Sequence, residues 1–200
     1  MSEILPLFSK PVYRSSLSQE SISYALRRAE EAHYNSNSVS TQDYLIDTLS
    51  IFRSEVIDKV NDYIYNFLRI KNSFSYYFPD SWFYKSNPGN ISSMHSHSNS
   101  LFSGVVYLKT VPNCGDIKFV KEYYFSSLCV EYRIPYEEYN LYNEPFHNIT
   151  PNSGDILIFP SQLLHSVSIN SSNEDRYSFA FNIIPDKFRD SVSGAKILDR

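Results

Sequence analysis

The sequence predicts a mainly β protein, a sandwich or jelly roll, with two helices in front of the β region. Two observations lead to this fold class. Helical periodicity is confined to residues 1–72, and beyond them short β-favouring runs alternate with turn residues. Many short strands at this spacing are typical of sandwiches and jelly rolls. Helices collected at one end of the chain would brace one sheet from outside.

Two amphipathic segments predict the helices. The first is expected over residues 17–34, with Ser16 and Gln19 in capping-box positions. The second is expected over residues 41–70, where apolar residues recur at three- or four-residue steps and would form one stripe along a helix. That stripe consists of Leu45, Leu49, Phe52, Val56, Val60, Tyr63 and Phe67. We expect it to pack on a sheet.

The rest of the chain predicts eight strands separated by turn sequences rich in Asn, Pro, Gly and Ser. Their expected positions are 75–78, 82–85, 101–109, 116–120, 128–134, 155–159, 164–169 and 177–184. The stretch 121–148 is the least regular, and it is compatible with a binding loop or with a strand pair. We expect a single domain over 1–200, with a helical front at 1–72, a β core at 73–186 and a C-terminal tail at 187–200.

Composition limits the partners and the compartment. The net charge is −4 and the pI is near 5.7, so nucleic acid is not an expected partner. The two cysteines, Cys114 and Cys129, make no disulfide framework and fit a reduced intracellular setting. The first residues lack the basic start and apolar core of a signal peptide. No apolar stretch approaches the roughly 20 residues that span a bilayer. We therefore expect a cytoplasmic protein without a membrane partner.

Three histidines form the pattern with the most chemical content. His95 and His97 lie two residues apart, before the predicted strand at 101–109, and His165 follows the run at 155–159. Side chains at i and i+2 on a strand point to the same face, so the first two could hold a metal ion together, with His165 as third ligand. Neutral imidazoles suit Fe, Zn, Cu or Ni. A lone H-x-H pair is more often surface, but its order with His165 and Arg176 favours an enzyme.

Four motifs carry a family resemblance. They are Met-His-Ser-His at 94–97, Phe-Ser-Gly-Val-Val-Tyr-Leu at 102–108, the run 154–165 that ends in Phe-Pro-Ser-Gln-Leu-Leu-His, and Arg-Tyr-Ser-Phe-Ala-Phe-Asn at 176–182. In this order they resemble the Fe(II)/2-oxoglutarate oxygenases, in particular a small branch found among bacteria and their phages. The opening at 7–13 is similar to that branch too. The wider superfamily includes the prolyl hydroxylases.

The resemblance implies a double-stranded β-helix, which is a distorted, cupin-like jelly roll, braced by the two helices. It implies Fe(II) and 2-oxoglutarate as cofactors, with His95, His97 and His165 as the catalytic metal ligands. The implied reaction is oxidation by O2, a hydroxylation of an unidentified small-molecule or peptidyl substrate with release of succinate and CO2. A phage-encoded enzyme would act in the host cytoplasm. The sequence leaves a homodimer open.

His97 departs from the usual pattern, because most relatives carry a carboxylate at this position. A site with three histidines is more positive by one charge than the carboxylate site. Asp116 and Glu131 are other carboxylates that could reach a metal, but neither sits at the motif spacing. We therefore keep the three histidines as the ligand set.

The resemblance also assigns the 2-oxoglutarate pocket. Arg176 suits the distal carboxylate of 2-oxoglutarate, because a guanidinium makes two parallel hydrogen bonds to a carboxylate and stays charged. Ser178 would share its strand face, and Tyr107 could add a phenol donor. Asn182 ends the last motif and is expected near the site. The competing interpretations are an ion pair of Arg176 with the neighbouring acids 174 or 175, and Tyr107 as a packed strand aromatic.

Two other functions remain open from sequence. The first is a three-histidine metal dioxygenase that does not use 2-oxoglutarate, an interpretation that Arg176 disfavours. The second is a non-catalytic β-sandwich or virion-associated binding protein, with which the high Tyr, Ser and Asn content is compatible.

Overall fold

The structure, a computed structural model, describes residues 4, 8–34, 40–41, 45–121 and 135–186. Within these ranges the helices are α1, Gln19–Glu31, and α2, Ser50–Asn61. A 3-10 turn, Ile46–Thr48, precedes α2, and a wider π-type turn, Asp62–Phe67, follows it. The strands are β1 Tyr13–Ser16, β2 Tyr76–Tyr77, β3 Ser81–Ser86, β4 Ser92–His95, β5 Phe102–Lys109, β6 Ile117–Val120, β7 Phe146–Ile149, β8 Asp155–Pro160, β9 His165–Val167 and β10 Arg176–Pro185.

The strands form two antiparallel sheets. The larger has the order β1-β8-β5-β10-β2, with β3 also paired to β10, and the smaller has the order β4-β9-β6-β7. From β3 onward the chain passes repeatedly between the two sheets, which is the winding of a jelly roll. The predicted fold class, a double-stranded β-helix braced by two helices, is confirmed.

The two faces of the larger sheet have different neighbours. Successive side chains on a strand point to opposite faces. On β5 and β10 one set, including Val106, Phe179 and Phe181, is fully buried in the core cluster that also contains the apolar stripe of α2. The Phe52 ring of α2 meets the Phe179 ring edge-on, with centroids 5.1 Å apart. The predicted packing of that stripe on a sheet is confirmed except at Phe67, which is 68% exposed, and the opposite face is left for the smaller sheet.

The first helix starts later than predicted. Ser16 is not its cap, because it belongs to β1, where it pairs with Asp155 of β8. The cap is Ser18, whose side chain accepts the Ser21 N–H at 3.2 Å. Pairing with a neighbouring strand therefore outweighs the local helix signal before Ser18, because the four residues of β1 pair with β8 there.

The second helix is also shorter than the predicted 41–70. Thr41 lies against β3, where its N–H donates to the Phe83 carbonyl oxygen at 3.0 Å. Ser40 forms a single β-bridge with Tyr84. Residues 40–41 therefore pair with β3 instead of starting the helix, which begins at Ser50.

Seven of the eight predicted strands have counterparts, with bounds shifted by at most two residues, and the run 128–134 lies outside the described residues. Three observed strands were missed: β1, β4 and β7. Each has only four residues, and β4 and β7 are mostly exposed edge strands of the smaller sheet. Strands of this kind lack the apolar alternation that marks a strand in sequence. No helix in the described part of the chain has the length and apolar character to cross a membrane.

Substitution of Gly104 tests the close packing of β5 and β10 on the face of the larger sheet that meets the helices. It pairs with Phe181 across β5 and β10, and a Cβ added at Gly104 would overlap the Phe181 ring. We expect Gly104→Ala to lower the free energy of unfolding by about 1–3 kcal/mol, as overpacking does. Phe181→Leu would make room, so Gly104→Ala should cost less in that background. Chemical unfolding of the four proteins measures both effects, and equal costs in the two backgrounds would contradict this packing.

Candidate active site

A cavity of about 260 Å³ lies between the two sheets. Its walls come from the inner faces of β3, β5 and β10 on one side and of β4, β6 and β9 on the other. Every residue that the sequence marked for the site reaches this cavity: His95, His97, Tyr107, His165, Arg176, Ser178 and Asn182. Most of the remaining lining is apolar.

The three histidines lie together on the smaller sheet. His95 ends β4 and pairs directly with His165, the first residue of β9. Their ring centroids are 4.3 Å apart, and the His97 ring lies 5.2 Å from that of His95 and 5.4 Å from that of His165. One ring nitrogen from each lies within 4.8 Å of the others. The strand spacing predicted this juxtaposition, although β4 ends before His97.

Two of the three rings have a fixed orientation. The Nδ1 of His95 is 2.7 Å from the Ser93 carbonyl oxygen, and the Nδ1 of His165 is 2.8 Å from the Leu163 carbonyl oxygen. A carbonyl can only accept, so each Nδ1 carries the proton. The lone pair is then on Nε2, which is the arrangement that supporting carbonyls give to metal-binding histidines.

The protein environment keeps two of these imidazoles neutral. Burial lowers the pKa of His165 to about 4, and the neighbouring His95 and His97 act in the same direction. Burial also lowers the pKa of His97, again with help from His95. Near neutral pH both rings therefore offer lone pairs instead of carrying charge. Three convergent imidazoles fit Fe(II) chemically.

Arg176 is buried without an acidic partner among the described residues. Only 2% of the residue is exposed. Its Nη1 donates to the carbonyl oxygens of Cys114 at 3.2 Å and Gly115 at 3.4 Å, while its Nε has no hydrogen-bond partner. The neighbouring acids bind elsewhere: Glu174 pairs with Lys109 at 3.1 Å and Asp175 with Lys85 at 2.9 Å. An uncompensated buried cation is costly, so this one suits an anionic ligand.

Hydroxyl groups flank this guanidinium. Ser178 lies between Tyr84 of β3 and Tyr107 of β5 in one row across the larger sheet. All three side chains line the cavity. Burial raises the pKa of both phenols, while the nearby Arg176 charge acts in the opposite direction. Both tyrosines therefore remain neutral hydrogen-bond donors near the cation.

Asn182 reaches the cavity wall with its side chain already engaged. Its Oδ1 accepts a hydrogen bond from the Ser103 hydroxyl at 2.7 Å, and its Nδ2 donates to Asp80 Oδ1 at 2.7 Å. The residue is 2% exposed. Its amide therefore holds neighbouring protein groups together.

The sequence of the β core matches a family. The model of the family described as "Putative 2OG-Fe(II) oxygenase" matches residues 80–182, just over half of the chain. This chain belongs to that family of 2OG-Fe(II) oxygenases. Its cofactors are accordingly Fe(II) and 2-oxoglutarate, as the resemblance implied. None of the curated proteins matches the sequence of this oxygenase.

Solved structures resemble the oxygenase over most of its length at low sequence identity. The non-heme alpha ketoglutarate dependent epimerase SnoN from nogalamycin biosynthesis has 13% identity and a TM-score of 0.62, with 88% of this chain and 78% of that chain covered. HygX from Streptomyces hygroscopicus, with nickel and 2-oxoglutarate bound, has 13% identity and a TM-score of 0.62, covering 90% and 84%. A 2OG-Fe(II) oxygenase family oxidoreductase from Burkholderia pseudomallei has 9% identity and a TM-score of 0.63, covering 86% and 83%. These likenesses establish the fold.

Two aromatic residues that line the cavity of the oxygenase were not predicted as site residues from the sequence. Trp82 lines the cavity, and so does Tyr84. Their i and i+2 spacing on a predicted strand does signal a shared face. Which face of that strand meets the cavity depends on its pairing with β10, and the sequence of β3 alone does not contain that information.

The other candidates stay outside the cluster. Asp116 is not among the groups that converge with the histidines, and Glu131 lies outside the described residues. The remaining two histidines of the sequence also lie apart from the cluster: His147 of β7 pairs with Glu144 at 2.8 Å, and His33 is exposed.

Removal of one imidazole should disrupt metal binding by the oxygenase. We expect His165→Ala to weaken Ni(II) binding by more than about 100-fold, because loss of even a supporting hydrogen bond costs roughly 10–100-fold. His33→Ala, which removes an exposed histidine, is the matched control and should bind Ni(II) like the wild type. Isothermal titration with Ni(II) gives both affinities. Equal affinities for His165→Ala and wild type would mean that the cluster is not the metal site.

Proposed function

We propose that this oxygenase hydroxylates its substrate with release of succinate and CO2, with His95, His97 and His165 as the metal ligands and Arg176 as the anchor for 2-oxoglutarate. The observation that carries the proposal is the position of a buried guanidinium on the same small cavity as three convergent histidines, with no acidic partner for it in the described part of the chain. Fe(II) would supply the metal ion for the histidines, and 2-oxoglutarate would supply a carboxylate for the guanidinium.

The histidines provide a ligand set in which His165 is buried, His97 is half-buried and His95 is exposed. The His165 ring lies against the Phe159 ring, with centroids 4.9 Å apart, and Phe119 approaches from the neighbouring strand at 6.2 Å. These aromatic walls limit the rotation of the ring and exclude water from it. Fe(II) together with 2-oxoglutarate supplies the O2-dependent oxidation, and the protein supplies orientation and electrostatics.

The larger sheet provides the groups for 2-oxoglutarate. Arg176 would bind the distal carboxylate through a charge-assisted pair, which is strong in a buried setting. Ser178 and Tyr107 would donate further hydrogen bonds to the same end of the molecule. Tyr84 lies on the other side of Ser178, and we add it to this group of donors. Asn182 would stabilise the wall of the pocket through its hydrogen bonds to Ser103 and Asp80.

The cavity volume restricts the substrate. About 260 Å³ must hold 2-oxoglutarate and the reacting part of the substrate. Only a small portion of the substrate can therefore enter, such as one side chain of a peptide or one edge of a small molecule. Trp82 and Val105 lie on the inner face of the larger sheet and provide an apolar contact for that portion.

We also propose that the whole chain, 1–200, acts as one domain in the cytoplasm. Strand β1 of the helical front pairs with β8 of the β core, which ties the two regions together. The cytoplasmic proposal rests on the two cysteines, which make no disulfide framework.

The alternative dioxygenase without 2-oxoglutarate leaves Arg176 unexplained. A reaction at the metal that needs no second carboxylate would keep a buried cation without a counter-charge, which destabilises the fold. We therefore retain 2-oxoglutarate as the cosubstrate. The family match also disfavours the non-catalytic binding protein.

Replacement of Arg176 separates its ligand role from its structural role. We expect Arg176→Met to weaken 2-oxoglutarate binding to the Ni(II)-loaded protein on the order of 100-fold, as loss of a buried charge partner costs roughly 2–5 kcal/mol. It should also abolish Fe(II)-dependent formation of succinate from 2-oxoglutarate. Without ligand, the variant should be at least as stable as wild type, because an unpaired buried charge has been removed.

The matched control for this experiment is Lys109→Met, which removes a half-exposed cation paired with Glu174. Calorimetry measures 2-oxoglutarate affinity, succinate assays measure turnover, and thermal unfolding measures stability. Succinate formation by Arg176→Met at the wild-type rate would refute the proposed anchor.

A further inference from the structure

His97 is held differently from the other two histidines. His95 and His165 belong to paired strands, and their Nδ1 atoms meet carbonyl oxygens. His97 lies two residues beyond the end of β4, and no hydrogen bond to its ring is found among the described residues. The position of its imidazole therefore depends on how its main chain is fixed.

Two hydrogen bonds fix that main chain. The His97 N–H donates to the Ser161 carbonyl oxygen at 2.9 Å, and the Gln162 Nε2 donates to the His97 carbonyl oxygen at 3.2 Å. Ser161 and Gln162 belong to the short turn between β8 and β9, and β9 begins with His165. The turn between β8 and β9 therefore leads into His165 and also fixes the main chain of His97.

Ser161 is in turn the end of a buried hydrogen-bond network. It is fully buried, and its hydroxyl lies 2.8 Å from that of Ser103. The Ser103 hydroxyl donates to Asn182 Oδ1, and Asn182 Nδ2 donates to the Asp80 carboxylate. Because Ser103 has given its only proton to Asn182, Ser161 must donate to Ser103. From Ser161 to the Asp80 carboxylate the hydrogen bonds of the network therefore have consistent donors and acceptors.

We propose that Asp80, Asn182, Ser103 and Ser161, here called the Asp80–Ser161 network, position His97 for metal binding. The inference rests on the metal site of the proposed function and adds four positioning residues to it. The network joins β10, β5 and the turn after β8. It therefore fixes the position of that turn, and with it the main chain of His97, relative to the larger sheet. Buried polar groups that are all satisfied specify one arrangement, and loss of any member leaves the others unpaired.

Ser103→Ala tests this proposal, because it breaks both links at the centre of the network. We expect the Kd for Co(II) to rise about 10–100-fold, the range for lost support of a metal ligand. The visible absorption spectrum of the Co(II)-loaded protein should also change, because the ligand geometry changes. Ser161→Ala removes a hydroxyl at the end of the network, and should act in the same direction if Ser103→Ala does not fold.

Ser81→Ala is the matched control for loss of a buried hydroxyl. Ser81 is fully buried, and its hydroxyl oxygen accepts the Ile46 N–H at 2.9 Å, outside the network. We expect this variant to lose thermal stability but to bind Co(II) with the wild-type affinity and spectrum. A loss of Co(II) affinity as large as that of Ser103→Ala would overturn the proposal, because general destabilisation would then explain both.

A double-mutant cycle with His97→Ala isolates the residue through which the network acts. Without the His97 imidazole, Ser103→Ala should cause no further loss of Co(II) affinity. An equal loss in both backgrounds, or no loss and no spectral change in either, would overturn the positioning role while leaving the metal site intact. If wild-type protein bound Co(II) no better than His165→Ala, the metal site itself would fail, and the positioning role with it.

Discussion

The alternation of side chains along β10 is the constraint on which both the core and the site depend. Phe179, Phe181 and their neighbours of the same parity face the helices, while Arg176 and Ser178 face the cavity. The strand pairs with β3 on one side and β5 on the other, so its register is fixed from both edges. A slip by one residue would place the guanidinium in the apolar core and the phenylalanines in the cavity.

The two sheets contribute different chemistry. The smaller sheet and the turn after β4 carry the three imidazoles, and the larger sheet carries the guanidinium and the hydroxyl groups. A ligand that binds to a metal at one end and to Arg176 at the other would therefore connect the sheets across the cavity. Because the phenols are neutral and the Arg176 guanidinium has no acidic partner among the described residues, the cavity has a positive bias that suits a dianionic cosubstrate.

Sequence reasoning found the parts of the site that depend on order along the chain. His95 and His97 before one strand, His165 after another, and Arg176 with Ser178 at i and i+2 were all visible as patterns. No pattern revealed Tyr84 as a site residue, or the roles of Ser103 and Asn182, because these depend on which strands become neighbours in space. The Ser103 and Asn182 side chains meet across 79 residues of sequence, a separation that no local pattern spans. The same reason explains the helix start, where pairing of β1 with β8 displaced the cap from Ser16 to Ser18.

The most direct measurement is a crystal structure of the protein loaded with Ni(II) and 2-oxoglutarate. This account predicts one metal ion bound by ring nitrogens of His95, His97 and His165, with the distal carboxylate of 2-oxoglutarate in contact with Arg176. A metal ion bound away from the three imidazoles, or a 2-oxoglutarate molecule that leaves the guanidinium without a carboxylate, would contradict it.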